Sequence, residues 1–504
     1  MSLQGKLNKK MKCIGFDLGS SSVKAAIIDT ETGLLVGTCQ YPDNEMAIDS
    51  PEPGFAEQDP ALWWENCQKV SRKLLEQTGI DPTEIKGIGI AYQMHGLVCL
   101  DKEGNVLRPS IIWCDSRAVE QGEAAFNALG SSYCLSHLLN SPGNFTASKL
   151  RWVQENEPEI FAKIKTVFLP GDYLAWCMTA EANTTITGLS EGVFWDFKNK
   201  KIGDKLLANW QIPEAILPPV TNIFGKQGVL TKEAAQLLGL TEGIPVTYRA
   251  GDQPNNALSL GVLEPGEIAA TGGTSGVVYA VANAIIPDSD SRVNSFAHVN
   301  YTVNDPKIGV LLCINGTGIL YSWLKKQWGK GLISYTEMEE IANKIPEGSD
   351  GLTIIPFGNG AERILKNKQL GASISGLDFN RHTSDHFIRA ALEGIAFSFQ
   401  YGMSILNEMG INANRIKVGN DNLFQSKVFS QTLANISSCT IEIVKTNGAE
   451  GAARGAAFGC GCYKTIAEAV GQTESVHTFY PEPVSSELSA AASKWRQTLK
   501  NNLQ

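Results

Sequence analysis

A strand, a turn rich in glycine and hydroxyl residues, and a second strand recur at half the length of this chain. That repeat limits its folds more than any other feature. The first copy is "IGFDLGSSSVKAAIID", beginning at Ile14; the second is "GEIAATGGTSGVVYAV", beginning at Gly266. Gly19-Ser20-Ser21-Ser22-Val23 lies over Gly273-Thr274-Ser275-Gly276-Val277, 254 residues further on in a chain of 504. Residue types agree at four of the five positions, with Thr for Ser at the second. The same local pattern at half the chain length reads as two related domains.

The elements around the first copy support this. "CIGFDLG", "VKAAIID" and "LLVGTCQY" have the apolar content of successive strands joined by short turns. A helix follows at "DPALWWENCQKVSRKLLEQTG", with Asp59 placed to cap it, Pro60 suited to its first turn and Gly79 just past its end. "IKGIGIAYQ" then reads as a buried strand. This β-β-β-α-β order predicts a mixed sheet flanked by helices.

Two hydroxylated hairpin turns have a bland reading as ordinary turns. They also offer backbone amides and side-chain hydroxyls that suit phosphate oxygens. Asp17, at the end of the first apolar run, then reads as a direct or water-mediated Mg²⁺ ligand, or as a strand-end acid bonding the amides of its own turn. The pattern G-x-x-x-x-G-K-[ST] is absent, so a nucleotide site here is not a P-loop. Charge and composition remove other classes. A net charge of −9 disfavours electrostatic binding to nucleic acid or an anionic membrane. No apolar run approaches the roughly 20 residues of a spanning helix, and the start, "MSLQGKLNKK", lacks the apolar segment of a secretion signal. Eleven scattered cysteines fit a reducing, cytoplasmic setting; only Cys460 and Cys462 lie close in sequence, which is weak evidence for a metal.

Several motifs, in order, resemble those of the FGGY carbohydrate kinases. "DLGSSSVK" is similar to that family's first phosphate motif and "ATGGTSG" (270–276) to its second. "AGDQPNNAL" (250–258) resembles the setting of its catalytic aspartate. "ALEGIAF" (391–397) and "EGAARGAAFG" (450–459) resemble its later helices. "YQMHGLVCLD", "WCDSRA" and "LPGDYL" look like the xylulokinase branch. "VGNDNLFQS" (418–426) departs from the usual glycine run of the adenosine motif, with Asn420, Asp421 and Asn422 after one glycine.

The resemblance implies an α/β fold of two actin-like, ribonuclease H-like domains with a nucleotide and sugar cleft between them. Residues 11–255 would form the N-terminal domain, 256–480 the C-terminal domain and 481–504 a C-terminal helix or tail. It implies ATP-dependent phosphorylation of a ketose primary hydroxyl, first of all D-xylulose, with Mg²⁺. Asp252 would be the general base; as a plain structural residue it would cap the following helix. Gln93, Met94, His95, Gly96, Asp252 and Gln253 would contact sugar, although Met94 and His95 also suit ordinary packing. Gly19, Ser20, Ser21, Lys24, Gly273, Thr274, Ser275, Gly316, Gly318, Gly419, Asn422 and Gln425 would contact nucleotide, with Asp17 at the metal. Asp115, Arg117, Asp172 and Asn256 are further candidates. A homodimer is compatible with the sequence, which sets no oligomeric state. A kinase acting on another ketose, polyol or aldonate is the nearest alternative. An actin- or Hsp70-like ATPase switch with a protein partner is the alternative of another class. The apolar spacing at Ile388, Leu392, Ile395, Phe399 and Met403 predicts a packed helix face, with Gly394 marking a close approach, for instance of another helix.

Overall fold

The computed structural model describes residues 11–328, 331–471 and 474–504. The polar start, 1–10, lies outside the described residues. The chain forms two compact units. One comprises Met1–Leu263, Phe296–Lys307 and Thr446–Gln472; the other comprises Glu264–Ser295, Ile308–Lys445 and Thr473–Gln504.

The first unit is built on β1 (Lys12–Leu18), β2 (Val23–Asp29), β3 (Leu35–Tyr41), β4 (Ile85–Tyr92) and β5 (Val246–Gly251), in the order β3-β2-β1-β4-β5. β1–β2 and β2–β3 are antiparallel, whereas β1–β4 and β4–β5 are parallel. The second unit carries β6 (Ile268–Gly272), β7 (Gly276–Ala282), β8 (Ile308–Ile314), β9 (Arg415–Gly419), β10 (Thr440–Val444) and β11 (Ser475–Phe479). These run β8-β7-β6-β9-β10-β11. Their pairings are antiparallel, antiparallel, parallel and parallel, and then β11 is added antiparallel. The five-residue repeat is thus the visible part of a duplicated five-strand sheet.

Helix Pro60–Thr78 forms as its sequence predicts. Asp59 accepts from Ala61 N at its start and Gly79 closes it at φ 63°. Trp63, Cys67, Val70 and Leu74 form its buried stripe; each such apolar side chain contributes about 1.5–3 kcal/mol on full burial. Helix Gly448–Gly459 packs on β1, β4 and β5 of the first unit, although the sequence boundary assigns it to the second. Its small residues let the backbone touch the sheet. A Cβ added at Gly15 would lie 2.1 Å from Ala449 O, and one at Gly89 would lie 2.0 Å from Ala452 O. The expected cut at 255/256 falls inside helix Asp252–Ser259. Helix Ser486–Leu503 is an integral part of the second unit, with Trp495 buried and donating to Ile354 O at 3.0 Å. In helix Ser384–Glu408 the predicted face is buried. The close approach at Gly394 is to a strand, not a helix: a Cβ there would lie 2.3 Å from Ile354 O.

Candidate active site

In the first unit, β1 and β2 close on the pair Leu18–Val23, and the turn between them is held by Gly19 N donating to Ser22 O at 3.0 Å. Asp17 faces Lys24 in register. Burial raises the Asp17 carboxyl above its ordinary range, against the pull of Lys24. The Gly19 amide of its own turn donates to Ser22 O, not to Asp17. Helix Gly448–Gly459 begins against this carboxylate, because a Cβ at Gly448 would lie 2.3 Å from Asp17 Oδ2. The positive end of a helix favours negative charge there.

β5 ends at Gly251, and Asp252 is the first residue of the helix Asp252–Ser259. The cap position belongs to Gly251 and no side chain caps this end, so the capping role for Asp252 does not hold. Burial, and after it the charge of Asp17, raise the Asp252 carboxyl to about 7, opposed by hydrogen bonding with Gln253. The two acids singled out from sequence therefore lie within electrostatic reach of each other.

The Gln93–Gly96 segment follows β4. Gln93 N donates to Leu18 O at 2.7 Å. The Gln93 side chain donates to Gln58 Oε1, and Gln58 Nε2 donates to Ser20 O at 2.7 Å. A glutamine relay thus ties the segment to the first turn, and Gln93 is buried within it. Met94 is buried against Gly251, where a Cβ would meet its Cγ at 2.6 Å. His95 sits in the left-handed region, φ 63°. Its Nδ1 lies 2.9 Å from Glu191 O and so carries the proton, leaving Nε2 as the acceptor. Phe145 meets the ring edge-on at 4.8 Å. Burial, and then the charge of Lys149, push His95 down to about 3, so the imidazole is neutral. Gly96 is pressed on Pro170, whose Cγ would be 2.4 Å from an added Cβ. Gln253 is half-buried beside Asp252, and Lys24 is exposed.

Two residues that sequence reading passed over complete this region. Lys149 is fully buried and donates to His95 O at 2.8 Å and Ile112 O at 2.9 Å; burial pushes it down to about 7. Glu191 is buried, with Oε2 2.4 Å from where a Gly251 Cβ would stand, and burial holds its carboxyl well above the ordinary range. Neither carries a sequence signal: Lys149 lies in FTASKLRW and Glu191 in TGLSEGVF, which read as ordinary helix or loop. Of the further candidates, Asp115, Arg117 and Asp172 are held in buried ion pairs. Asp115 and Arg117 do pair, Oδ2 to Nη2 at 2.6 Å, as a buried pair whose guanidinium also stacks on Phe55. Asp172 is buried against Arg249 at 2.9 Å and accepts from Thr184. Asn256 lies on the helix that Asp252 opens and is half-buried.

In the second unit, the β6–β7 turn closes on Gly272–Gly276 and is one residue shorter than its counterpart. Gly276 sits in the strand because a Cβ there would meet the Phe399 ring at 2.6 Å. Gly318 N donates to Gly273 O and Ile319 N to Thr274 O, both at 3.1 Å, so helix Gly318–Trp328 starts on the turn. A Cβ at Gly318 would lie 2.3 Å from Gly273 O. Glu362, buried and also unforeseen, accepts from Asn315 N at 3.0 Å and Gly316 N at 2.9 Å; burial raises it to about 7. Gly419 ends β9. Asn422, at φ 50°, opens the short helix Asn422–Gln425, and its Nδ2 is 4.0 Å from where a Gly273 Cβ would stand. Gln425 donates to Asn420 O at 3.3 Å. Gly273, Thr274, Gly316, Gly318 and Asn422 therefore converge, with Ser275 in the same turn.

Among the described residues no cluster of three or more His, Cys, Asp or Glu side chains suits a metal ion. Asp17 beside the Gly448 cradle instead fits a Mg²⁺ held mainly by phosphate oxygens and water.

A two-domain α/β fold with paired acids in one unit and a glycine- and hydroxyl-lined turn in each defines a phosphotransferase class. Residues 12–259 match the N-terminal domain of the FGGY family of carbohydrate kinases and residues 268–462 match its C-terminal domain. The chain belongs to this family and is a transferase that phosphorylates a sugar. It is 28% identical to the xylulose kinase of Escherichia coli (strain K12) over 88% of each chain. It is 30% identical to the L-xylulose/3-keto-L-gulonate kinase of the same organism, over 93% of this chain and 92% of the relative. The crystal structure of xylulose kinase from Rhodospirillum rubrum superposes with a TM-score of 0.85 at 26% identity, covering 97% of this chain and 98% of that one. No described helix is long and apolar enough to cross a membrane. Membership in a sugar kinase family removes the ATPase-switch alternative.

Proposed function

We propose that this kinase transfers the γ-phosphoryl group of ATP to the primary hydroxyl of D-xylulose, giving D-xylulose 5-phosphate and ADP. The observation that carries the reading is the Asp252 carboxyl, raised to about 7, free of a capping role and within reach of the charge of Asp17. Asp252 takes the hydroxyl proton as the sugar oxygen forms its bond to the γ-phosphorus and the bond to the ADP oxygen breaks. A base near neutrality is well matched to that transfer at neutral pH. Neutral His95 accepts a sugar hydroxyl through Nε2, Met94 gives apolar contact to the carbon chain, and Gly96 and Gln253 complete the sugar's surroundings. Gln93 acts through the Gln58 relay. In the second unit, Gly273, Thr274, Ser275, Gly316 and Gly318 offer amides and hydroxyls to phosphates, and Gly419, Asn422 and Gln425 serve the adenosine. In the first unit Gly19, Ser20, Ser21 and Lys24 do the same for phosphate. Asp17 would hold the Mg²⁺, which when bound offsets phosphate charge. A cytoplasmic location belongs to the same reading.

A second reading is supported by the relative named for L-xylulose and 3-keto-L-gulonate: a ketose or keto-acid other than D-xylulose. Coupled ADP release with MgATP across D-xylulose, L-xylulose, 3-keto-L-gulonate, gluconate and glycerol separates them. D-xylulose is expected to give a kcat/KM at least about tenfold above the others. Another acceptor ahead of it would overturn the substrate assignment.

A further inference from the structure

The segment that leaves β4 is pinned at both ends and gripped in its middle by one helix. Gln93 N donates to Leu18 O at 2.7 Å and Leu97 N donates to Ile111 O at 3.0 Å. Between these pins His95 stands at φ 63°. A residue other than glycine persists in that left-handed region only where its surroundings over-determine it. Here the carbonyls of His95 and Gly96 are the handles, and both accept from helix Thr146–Asn156. Lys149 Nζ donates to His95 O at 2.8 Å, and Thr146 Oγ1 donates to Gly96 O at 3.3 Å. Lys149 Nζ also donates to Ile112 O at 2.9 Å, and Ile112 is itself anchored by its N–H on Ala56 O at 3.1 Å. The amine thus bridges the backbone of His95 to a second, separately held segment.

The ring of His95 is fixed from its other sides. Phe145, the residue just before the helix, and Phe296 stand 4.8 Å and 5.3 Å from it, and their own rings are 5.9 Å apart. Ala297 N donates to Ser190 Oγ at 3.0 Å, which seats Phe296 beside the Glu191 carbonyl that meets Nδ1. The start of one helix therefore supplies an aromatic wall for the imidazole and two donors for the backbone beneath it. Lys149 is wholly buried. An apolar side chain would fill that space without the cost of desolvating an amine, so the two carbonyls are what the amine is there to hold.

We propose that Lys149 is a positioning residue for the acceptor sugar: through the carbonyl of His95 it keeps that residue in its left-handed turn and its Nε2 presented to a sugar hydroxyl. The inference rests on the reading of His95 as a sugar contact. Without the amine, His95 O loses its donor, the backbone relaxes toward an ordinary φ, and the ring leaves its place between Phe145 and Glu191 O. The sugar is then held more weakly, whereas Asp252, carried by β5, keeps its position. An amine retains two N–H bonds when it gives up a proton. Both hydrogen bonds therefore hold on either side of the value of about 7 to which burial pushes Lys149.

Lys149→Met keeps most of the side chain's length and removes its donors. Steady-state kinetics of the full chain with MgATP and the best acceptor should show the sugar KM up at least about tenfold and kcat within about threefold. The deciding comparison is a double-mutant cycle with His95→Ala. On that background Lys149→Met should change kcat/KM for the sugar less than about twofold, because the ring it orients is gone. An equal loss on both backgrounds, an unchanged KM in the single variant, or a loss confined to kcat would each overturn the proposal. Should Lys149→Met not fold, Thr146→Val carries the same cycle through the neighbouring carbonyl. It should raise the sugar KM about threefold in the wild type and not at all beside His95→Ala; no rise in the wild type overturns the proposal. His95→Ala with an unchanged KM for every sugar would sink the sugar-contact reading itself. A normal His95→Ala effect with a silent Lys149→Met sinks the positioning role alone.

Discussion

Replacing Asp252 with Asn should give an enzyme that is far slower and yet harder to unfold. The Asp252 carboxyl is raised from 3.8 to about 7, first by burial and then by the charge of Asp17. About three pH units at roughly 1.36 kcal/mol each put the penalty on its charged form near 4 kcal/mol. Partial exposure and relaxation reduce this, and about 1–3 kcal/mol is the expected gain from the neutral amide. The pH window follows from linkage. Folded Asp252 keeps its proton where the unfolded chain has lost it, so the wild type loses stability as pH rises from about 4 to about 7. The amide does not titrate. Its advantage should therefore be absent near pH 4, grow across that interval and be complete at pH 8. Differential scanning fluorimetry without ligands reads it as a Tm gain of several degrees, at about 2–4 °C per kcal/mol. In the same preparation turnover should fall about 10²–10⁴-fold. Turnover within threefold of wild type would refute the base assignment. A Tm difference equal at pH 4.5 and pH 8 would refute the electrostatic argument.

His95→Ala should raise the sugar KM at least about tenfold with a smaller change in kcat. The pH dependence of that KM from about 5.5 to 8 should be the same in wild type and variant, because His95 is already neutral and the titration in this window belongs to Asp252. Gly448→Ala places a methyl 2.3 Å from Asp17 Oδ2; steady-state kinetics should show kcat/KM down about 10–100-fold, since displacements of about 1 Å cost that much. An unchanged value would mean the helix start does not constrain the carboxylate. Glu362→Gln leaves one of the two amides of Asn315 and Gly316 facing an NH₂ group, and melts of the protein should show a loss of about 1–3 kcal/mol.

Local features were legible because local chemistry decides them. Asp59, Pro60 and Gly79 mark their helix whatever surrounds it, and the glycine–hydroxyl turns stand out in both halves. Asp17 and Asp252 were legible through motif resemblance, and their mutual influence follows only from the parallel run of β1, β4 and β5. The helix Gly448–Gly459 was readable as a small-residue helix but not as a partner of β1, a contact between segments more than 400 residues apart in sequence. Lys149, Glu191 and Glu362 carry no pattern at all. A buried charge differs from a surface one only through its three-dimensional surroundings, and each lies in a short stretch that reads as ordinary helix or loop. The same reason hid the neighbour of Gly394: the close approach was readable, but Ile354 O comes from a distant strand.

The discontinuity of the first unit bears on its birth at the ribosome. Its opening strands emerge early, but the segment Thr446–Gln472 that covers β1, β4 and β5 is translated almost last. At about 5–20 residues per second, the faces of Gly15 and Gly89 stay bare for tens of seconds in the nascent chain. A premature stop anywhere before residue 446 would strip this layer from the N-terminal half, leaving apolar surface for chaperones and proteases to find.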